Sequence, residues 1–188
     1  MQKLPLHIIA LVHNEGQASS FVVLLKEEEG ERRLPVVIGS FEAQAIASAV
    51  EGVKPNRPFT HDLLANTLRS FSIQIVEVLI SDLRDNVFFA SLLCAAPDGH
   101  LYEIDSRTSD ALALAIRFEC PIFTYRHIMD QAGIIWDNPP EKSLTSGKRG
   151  LGSLSEEELH LMLEEALEEE HYERAAEIRD ELERRKSN

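Results

Sequence analysis

IQIVEVLIS (residues 73–81), VFFASLLCAA (87–96) and HLYEID (100–105) are three runs rich in Val, Ile, Leu and Phe, separated by Asp85-Asn86 and Pro97-Asp98-Gly99. Short apolar runs bounded by residues that tolerate tight turns read as β-strands joined by hairpins, here an antiparallel meander. The period then changes. Over 109–119, Ala111, Leu112, Ala113, Leu114, Ala115, Ile116 and Phe118 make the segment apolar nearly all round, which predicts a centrally buried helix ending at Cys120-Pro121.

Upstream, residues 4–13, 20–26 and 34–38 read as strands, with the charged segment 26–33 as an exposed hairpin turn. Ser40 is placed to cap a helix ending near Gly52, with Phe41, Ala45, Ile46, Ala49 and Val50 as its apolar stripe. Thr60 is placed to cap a second helix reaching about Arg69, with Leu64, Leu68 and Phe71 buried. Downstream, 121–125 reads as a short strand and 126–132 as one or two helical turns. Strands cluster between helices without regular βαβ alternation, so the expected class is α+β, a mostly antiparallel sheet packed with helices.

The expected domain spans 1–138, a flexible linker rich in Pro, Ser, Thr and Gly spans 139–152, and a helical hairpin spans 153–188. In that tail, Ser155-Glu156-Glu157-Glu158 is a capping box opening a helix. One stripe runs Leu159, Met162, Leu163, Ala166 and Leu167, and a second runs Tyr172, Ala175, Ala176, Ile178 and Leu182. A hairpin this small cannot bury both stripes alone, so a protein partner or self-association is expected, against the plainer reading that it folds back on its own first domain.

At 44% hydrophobic residues the chain can bury a core, and its net charge of −13 is uneven. Residues 1–150 carry −5 and residues 151–188 carry −8, so no basic field draws polyanions in. No long apolar stretch suggests a membrane span or a signal peptide. Cys94 in a strand and Cys120 before a proline suggest thiols rather than a disulfide, which fits a reducing cytoplasm.

Two polar stretches, Arg57-Pro58-Phe59-Thr60-His61-Asp62-Leu63 and Glu103-Ile104-Asp105-Ser106-Arg107-Thr108-Ser109-Asp110, each precede a helical run. Helix starts present free backbone N–H groups and favour anions. With carboxylates, a hydroxyl and an arginine beside them, such ends suit a phosphate and a metal held together. Hydrolysis of a phosphodiester needs an activated water, neutralisation of the phosphate and help for the leaving oxygen, which divalent metals held by carboxylates supply. Asp62, Asp105 and Asp110 are the candidate ligands or bases, with Glu42 beside them. His61 is the candidate proton carrier, and Arg57, Arg107 and Ser109 are the candidate substrate contacts. A plainer reading stands next to each. Asp62 and Asp110 also serve a helix dipole, Glu103 and Asp105 suit a solvated strand face, and Arg107 suits an ion pair with Asp105 or Asp110. There is no His-Glu-x-x-His or Cys-x-x-Cys for zinc, no Gly-rich nucleotide loop and no Gly-x-Ser-x-Gly.

The blocks Gly39-Ser40-Phe41-Glu42-Ala43-Gln44-Ala45-Ile46, Arg57 through Leu63 and Asp105 through Arg117 resemble the bifunctional nuclease domain over most of residues 1–140. The resemblance implies an α+β domain with DNase and RNase activity. Thr108 stands where that family usually has a proline, which leaves the helix start intact. Residues 155–184, with Ala175-Ala176-x-Ile178-Arg179-Asp180 as the core, resemble the UVR motif of excinuclease subunits B and C. That resemblance implies protein association through Leu163, Leu167, Tyr172, Ala175, Ala176 and Arg179.

The leading expectation is a cytoplasmic nuclease using Mg²⁺ or Mn²⁺ on DNA or RNA, with a hairpin that recruits a partner and with homo-oligomerisation, as a dimer for instance. The alternative is a non-catalytic adaptor that recognises an anionic ligand and docks a partner through the hairpin. The acidity of the chain favours the second; the family blocks and polar helix starts favour the first.

Overall fold

The computed structural model describes residues 2–14, 20–53 and 55–135, together with Leu159, Leu163, Ile178, Arg179 and Leu182. The chain divides into two compact units, Met1–Thr145 and Ser146–Asn188. In the first, the elements follow in the order β1 (Lys3–His13), β2 (Ser20–Glu27), β3 (Arg32–Gly39), α1 (Ser40–Val50), α2 (Thr60–Ser70), β4 (Gln74–Arg84), β5 (Val87–Ala95), β6 (Leu101–Arg107), α3 (Thr108–Phe118), β7 (Ile122–Tyr125), α4 (Arg126–Ala132) and β8 (Ile134–Ile135). The described residues form an eight-stranded sheet in the order β6-β5-β4-β7-β1-β2-β3-β8. Every pairing is antiparallel except β4 with β7. The class is α+β, as the strand and helix order implies.

The meander forms where its turn residues allow it. Asp85 and Asn86 take φ of 50° and 62°, the left-handed pair that a two-residue hairpin matched to strand twist requires. Gly99, at φ 85°, closes the next turn. Two such hairpin-linked ribbons, β1-β2-β3 and β4-β5-β6, flank β7. This four-residue strand runs antiparallel to β1 and parallel to β4, and so joins both halves. Its Thr124 is fully buried and donates to the Ile80 carbonyl at 3.1 Å, which satisfies a hydroxyl in the core.

Helix α3 is the hub of the helical layer. Ala111, Leu112, Ala113, Leu114 and Ala115 are all buried, and they share one core with Ile46 of α1, Ala65 of α2, Ile128 and Met129 of α4, and the sheet residues Val23, Leu25, Val78 and Ile80. Small side chains on α3 let its neighbours approach closely. The structure departs from the simple periodic reading at three places. Helix α1 buries Ala43, Ala45 and Ile46 and leaves Phe41 and Val50 exposed, and α2 buries Ala65 and leaves Leu64 and Phe71 exposed. Ser40 and Thr60 are the first helical residues rather than caps; Gly39 and Phe59 precede them in extended conformation. Segment 26–33 is not wholly solvated either, because Glu27 is buried and paired with Arg32 at 2.8 Å. That pairing holds the Glu27 carboxyl below its usual range.

Helix α3 ends at Glu119, which sits at φ 53° in the left-handed region as the helix stop before Pro121. Cys94 and Cys120 are free thiols, and burial pushes both up, Cys120 to about 11. Among the described residues no helix is long and apolar enough to cross a membrane. In the second unit the described residues are helical, with Leu159, Ile178 and Leu182 buried, Leu163 half-buried and Arg179 exposed. The expected linker and the remaining hairpin residues, Leu167, Tyr172, Ala175 and Ala176 among them, lie outside the described residues.

Candidate active site

The first turns of α1, α2 and α3 border one cleft of about 690 Å³. Phe41 and Glu42 come from the first, Thr60 and His61 from the second, and Asp110 from the third, with Arg107 as the residue that precedes α3. Edge strand β6 supplies Ile104 and Asp105. Neither α1 nor α3 has a side chain capping its first N–H groups. Aligned peptide dipoles leave partial positive charge at each such end, so the cleft is biased toward an anion although three acids line it.

Asp110 organises the polar side. Its Oδ1 lies 2.9 Å from His61 Nε2, and Arg107 grips the same carboxylate through Nε at 2.7 Å and Nη2 at 3.0 Å. The other arm of the guanidinium, Nη1, lies 3.0 Å from Glu42 Oε1. Arg107 thus ties α1 to the start of α3, and Asp110 ties α3 to α2. Burial raises the Asp110 carboxyl, but hydrogen bonds from Arg107 and His61 outweigh it and leave the group below the usual aspartate range. The carboxylate stays ionised and fixes His61 through Nε2, and no hydrogen bond among the described residues engages Nδ1. Its hydrogen bonds to the Asp110 carboxylate, with Glu42 beside it, raise Arg107 above its ordinary value, so its charge is permanent. Of its five N–H donors, Nε and one on each terminal nitrogen face these acids, which leaves a second N–H on each terminal nitrogen for another acceptor.

Asp62 is turned elsewhere. Its Oδ1 accepts from Arg117 Nε at 2.7 Å and its Oδ2 accepts the Phe59 N–H at 2.9 Å, so it closes the start of α2 and anchors that helix to α3. Burial opposes ionisation of Asp62, yet the hydrogen bonds from Arg117 and Phe59 lower it on balance. Arg117 is not among the candidate site residues that the two polar stretches supply. The signal was present: a lone cation inside an otherwise apolar helix needs an acid, because a buried charge is unfavourable unless paired. Arg57 is exposed and Ser109 half-buried, and neither lines the cleft. Glu103 accepts from Ser91 Oγ at 2.8 Å.

The three-carboxylate cage of Asp62, Asp105 and Asp110 therefore does not assemble, since Arg117 and Arg107 occupy two of its members. Among the described residues no group of three or more His, Cys, Asp or Glu side chains is arranged to hold a metal ion. Two acids of the cleft lining remain. Asp105 lines the cleft, is exposed and makes no hydrogen bond or ion pair among the described residues, and Glu42 lines it with one oxygen on Arg107 and the other turned back toward Gly39. One or two carboxylates of this kind suit a Mg²⁺ or Mn²⁺ that keeps several waters and shares a substrate phosphate.

Residues 23–137, which contain all of these groups, match the family described as the bifunctional nuclease domain. This chain belongs to that family. Residues 157–187 match the UvrB/uvrC motif, so the bifunctional nuclease domain is followed by a UVR segment. Two uncharacterized proteins from two strains of Mycobacterium tuberculosis are 36% identical over 128 residues, covering 68% of this chain and 76% of theirs. Bifunctional nuclease 2 of Oryza sativa subsp. japonica is 24% identical over 146 residues, which is 72% of this chain and 45% of that protein. Within the bifunctional nuclease domain, the blocks around Glu42, His61 and Asp105–Arg117 are the segments that fold together at the cleft.

Proposed function

We propose that this bifunctional nuclease domain hydrolyses phosphodiester bonds of DNA or RNA in the cleft bordered by α1, α2 and α3. The observation that carries the reading is the convergence of three helix starts on a cleft that also holds an arginine with spare donors and a histidine oriented by a carboxylate. Arg107 and the uncapped helix starts would draw a phosphate in and neutralise the charge that grows on its oxygens during attack. His61, held through Nε2, would use Nδ1 to take a proton from the attacking water. Asp110 is the positioning residue: it fixes the ring, stabilises the imidazolium that forms, and orients Arg107. Mg²⁺ or Mn²⁺ bound by Asp105 with Glu42 would add charge neutralisation at the phosphate.

The UVR segment supports a second role, association with a protein partner or with another copy of the chain through the faces that include Leu163 and Arg179. A cytoplasmic protein, dimeric or larger, fits the free thiols and the exposed edge strand β6. A non-catalytic reading has one observation in its favour: Glu42 and Asp110 already neutralise Arg107, which suits binding an anion without cutting it. Cleavage of labelled DNA and RNA by purified protein, with Asp110→Asn as control, separates the two. Strand scission lost in Asp110→Asn at unchanged fold supports the nuclease. No scission under any divalent metal, with nucleic acid still bound, supports the adaptor.

A further inference from the structure

Phe41 is 84% exposed on the first turn of α1, immediately before Glu42, although the rest of that helix buries only Ala43, Ala45 and Ile46. It lines the cleft together with Leu64 of α2 and Ile104 of β6, which are 43% and 46% exposed. A phenylalanine left in water costs hydrophobic free energy, and three large apolar side chains from three elements around one polar centre mark a surface made to be covered. The polar centre itself offers little grip on a long polyanion. Arg107 is the one permanent cation among the described lining residues, against the acids Glu42, Asp105 and Asp110, and residues 1–150 carry a net −5. A duplex is held mainly through a track of Lys and Arg on its two phosphate strands, and no such track lines this cleft.

We infer that the substrate is an unpaired strand, bound by stacking a nucleobase on Phe41 against Leu64 and Ile104 while its phosphate sits at Arg107. This rests on the nuclease reading and deepens it. Stacking on aromatic rings is tolerant of sequence and needs little positive charge, which reconciles nucleic-acid binding with an acidic chain. A base inside a duplex has both faces covered and cannot reach the ring unless it is flipped out. The cleft volume of about 690 Å³ lies in the range of small-molecule sites, suited to a nucleotide or two rather than a helix. Exposed Gln44 borders the same space and offers an amide to a base edge.

The test is fluorescence anisotropy on the full chain carrying His61→Ala, so that bound strands are not cut. The probes are a fluorescein-labelled DNA strand, the RNA strand of the same sequence, and each annealed to its complement. Single strands should bind about tenfold or more tighter than duplexes. Phe41→Ala should weaken single-strand binding by about tenfold, Phe41→Trp should retain it, and duplex binding should not move. Because Phe41 is exposed, its loss should leave the thermal unfolding curve in place. Equal affinity for paired and unpaired strands, or strand binding indifferent to Phe41→Ala, overturns the inference. Strand-selective, Phe41-dependent binding by a wild-type protein that cuts nothing would overturn the nuclease reading and leave only the stacking of an unpaired base at Phe41. Wild-type cleavage without strand preference in binding would do the reverse.

Discussion

Removal of the Asp62 carboxylate should destabilise the first unit rather than remove a chemical group from the cleft. Arg117 is 8% exposed and Asp62 25% exposed at their side chains, with 2.7 Å between them. Arg117 also donates through Nη1 to the Ala113 carbonyl at 2.8 Å, so the guanidinium is fixed in place and cannot swing out to water. Asp62→Ala leaves that cation without its counter-charge. For a fully buried pair the loss is about 3–5 kcal/mol. The more open Asp62 end admits water and brings the estimate down to about 2 kcal/mol, to which the lost acceptor for the Phe59 N–H adds about 1 kcal/mol. Asp62→Ala should therefore cost about 3 kcal/mol, and Asp62→Asn less, because it keeps an acceptor. Arg117→Met in the Asp62→Ala background should recover part of the loss, with a coupling of about 1.5 kcal/mol or more. Urea unfolding followed by circular dichroism at constant m-value reads wild type, both Asp62 variants, Arg117→Met alone and the double variant. A stable Asp62→Ala protein, within about 0.5 kcal/mol of wild type but inactive, would refute the reasoning and return Asp62 to the chemistry.

Three further outcomes follow from the same contacts. Asp62 and Asp110 both titrate below their ordinary value of 3.8, so their ionised forms stabilise the fold. That contribution is full above the unfolded value and is lost as pH falls through the lower folded values, so acid unfolding should set in below about pH 4, and Asp62→Asn should flatten that limb in a pH series of urea midpoints. Asp105→Asn should weaken Mn²⁺ binding, read by the spectrum of the free ion, and raise the Mg²⁺ concentration that half-saturates cleavage, with a Phe59–Asp62 region unaltered. Glu119→Gly should stabilise by about 0.5–1 kcal/mol in the same urea assay, because glycine removes the strain of the left-handed conformation at the end of α3.

Much of this architecture can be read locally. The β4-β5-β6 ribbon follows from apolar runs punctuated by Asp85-Asn86 and Pro97-Asp98-Gly99, and α3 from an unbroken apolar segment, because hairpins and buried helices depend on near neighbours in sequence. Strand β7 shows the limit. Its four residues carry a strand pattern, but its place between β4 and β1 depends on pairings with residues far away in the chain. The candidate site divides in the same way. Glu42, His61 and Asp110 stood out because acids, an imidazole and helix starts coincide locally. That Asp110 meets His61 while Asp62 meets Arg117 is decided by how α2 lies across α3, which no local pattern encodes. Phe41 shows the opposite error. Helical spacing assigns it to the buried stripe, yet the small residues Ala43 and Ala45 beside Ile46 set the rotation of α1 and turn Phe41 into the cleft.

The most direct measurement is rescue of His61→Ala by free imidazole in a single-turnover cleavage assay. Removing a proton carrier of this kind should slow cleavage about 10²–10⁴-fold. Added imidazole should restore part of the rate, saturably, in proportion to its neutral fraction, and it should restore nothing in Arg107→Ala. A His61→Ala protein that cuts nucleic acid at the wild-type rate would contradict the account.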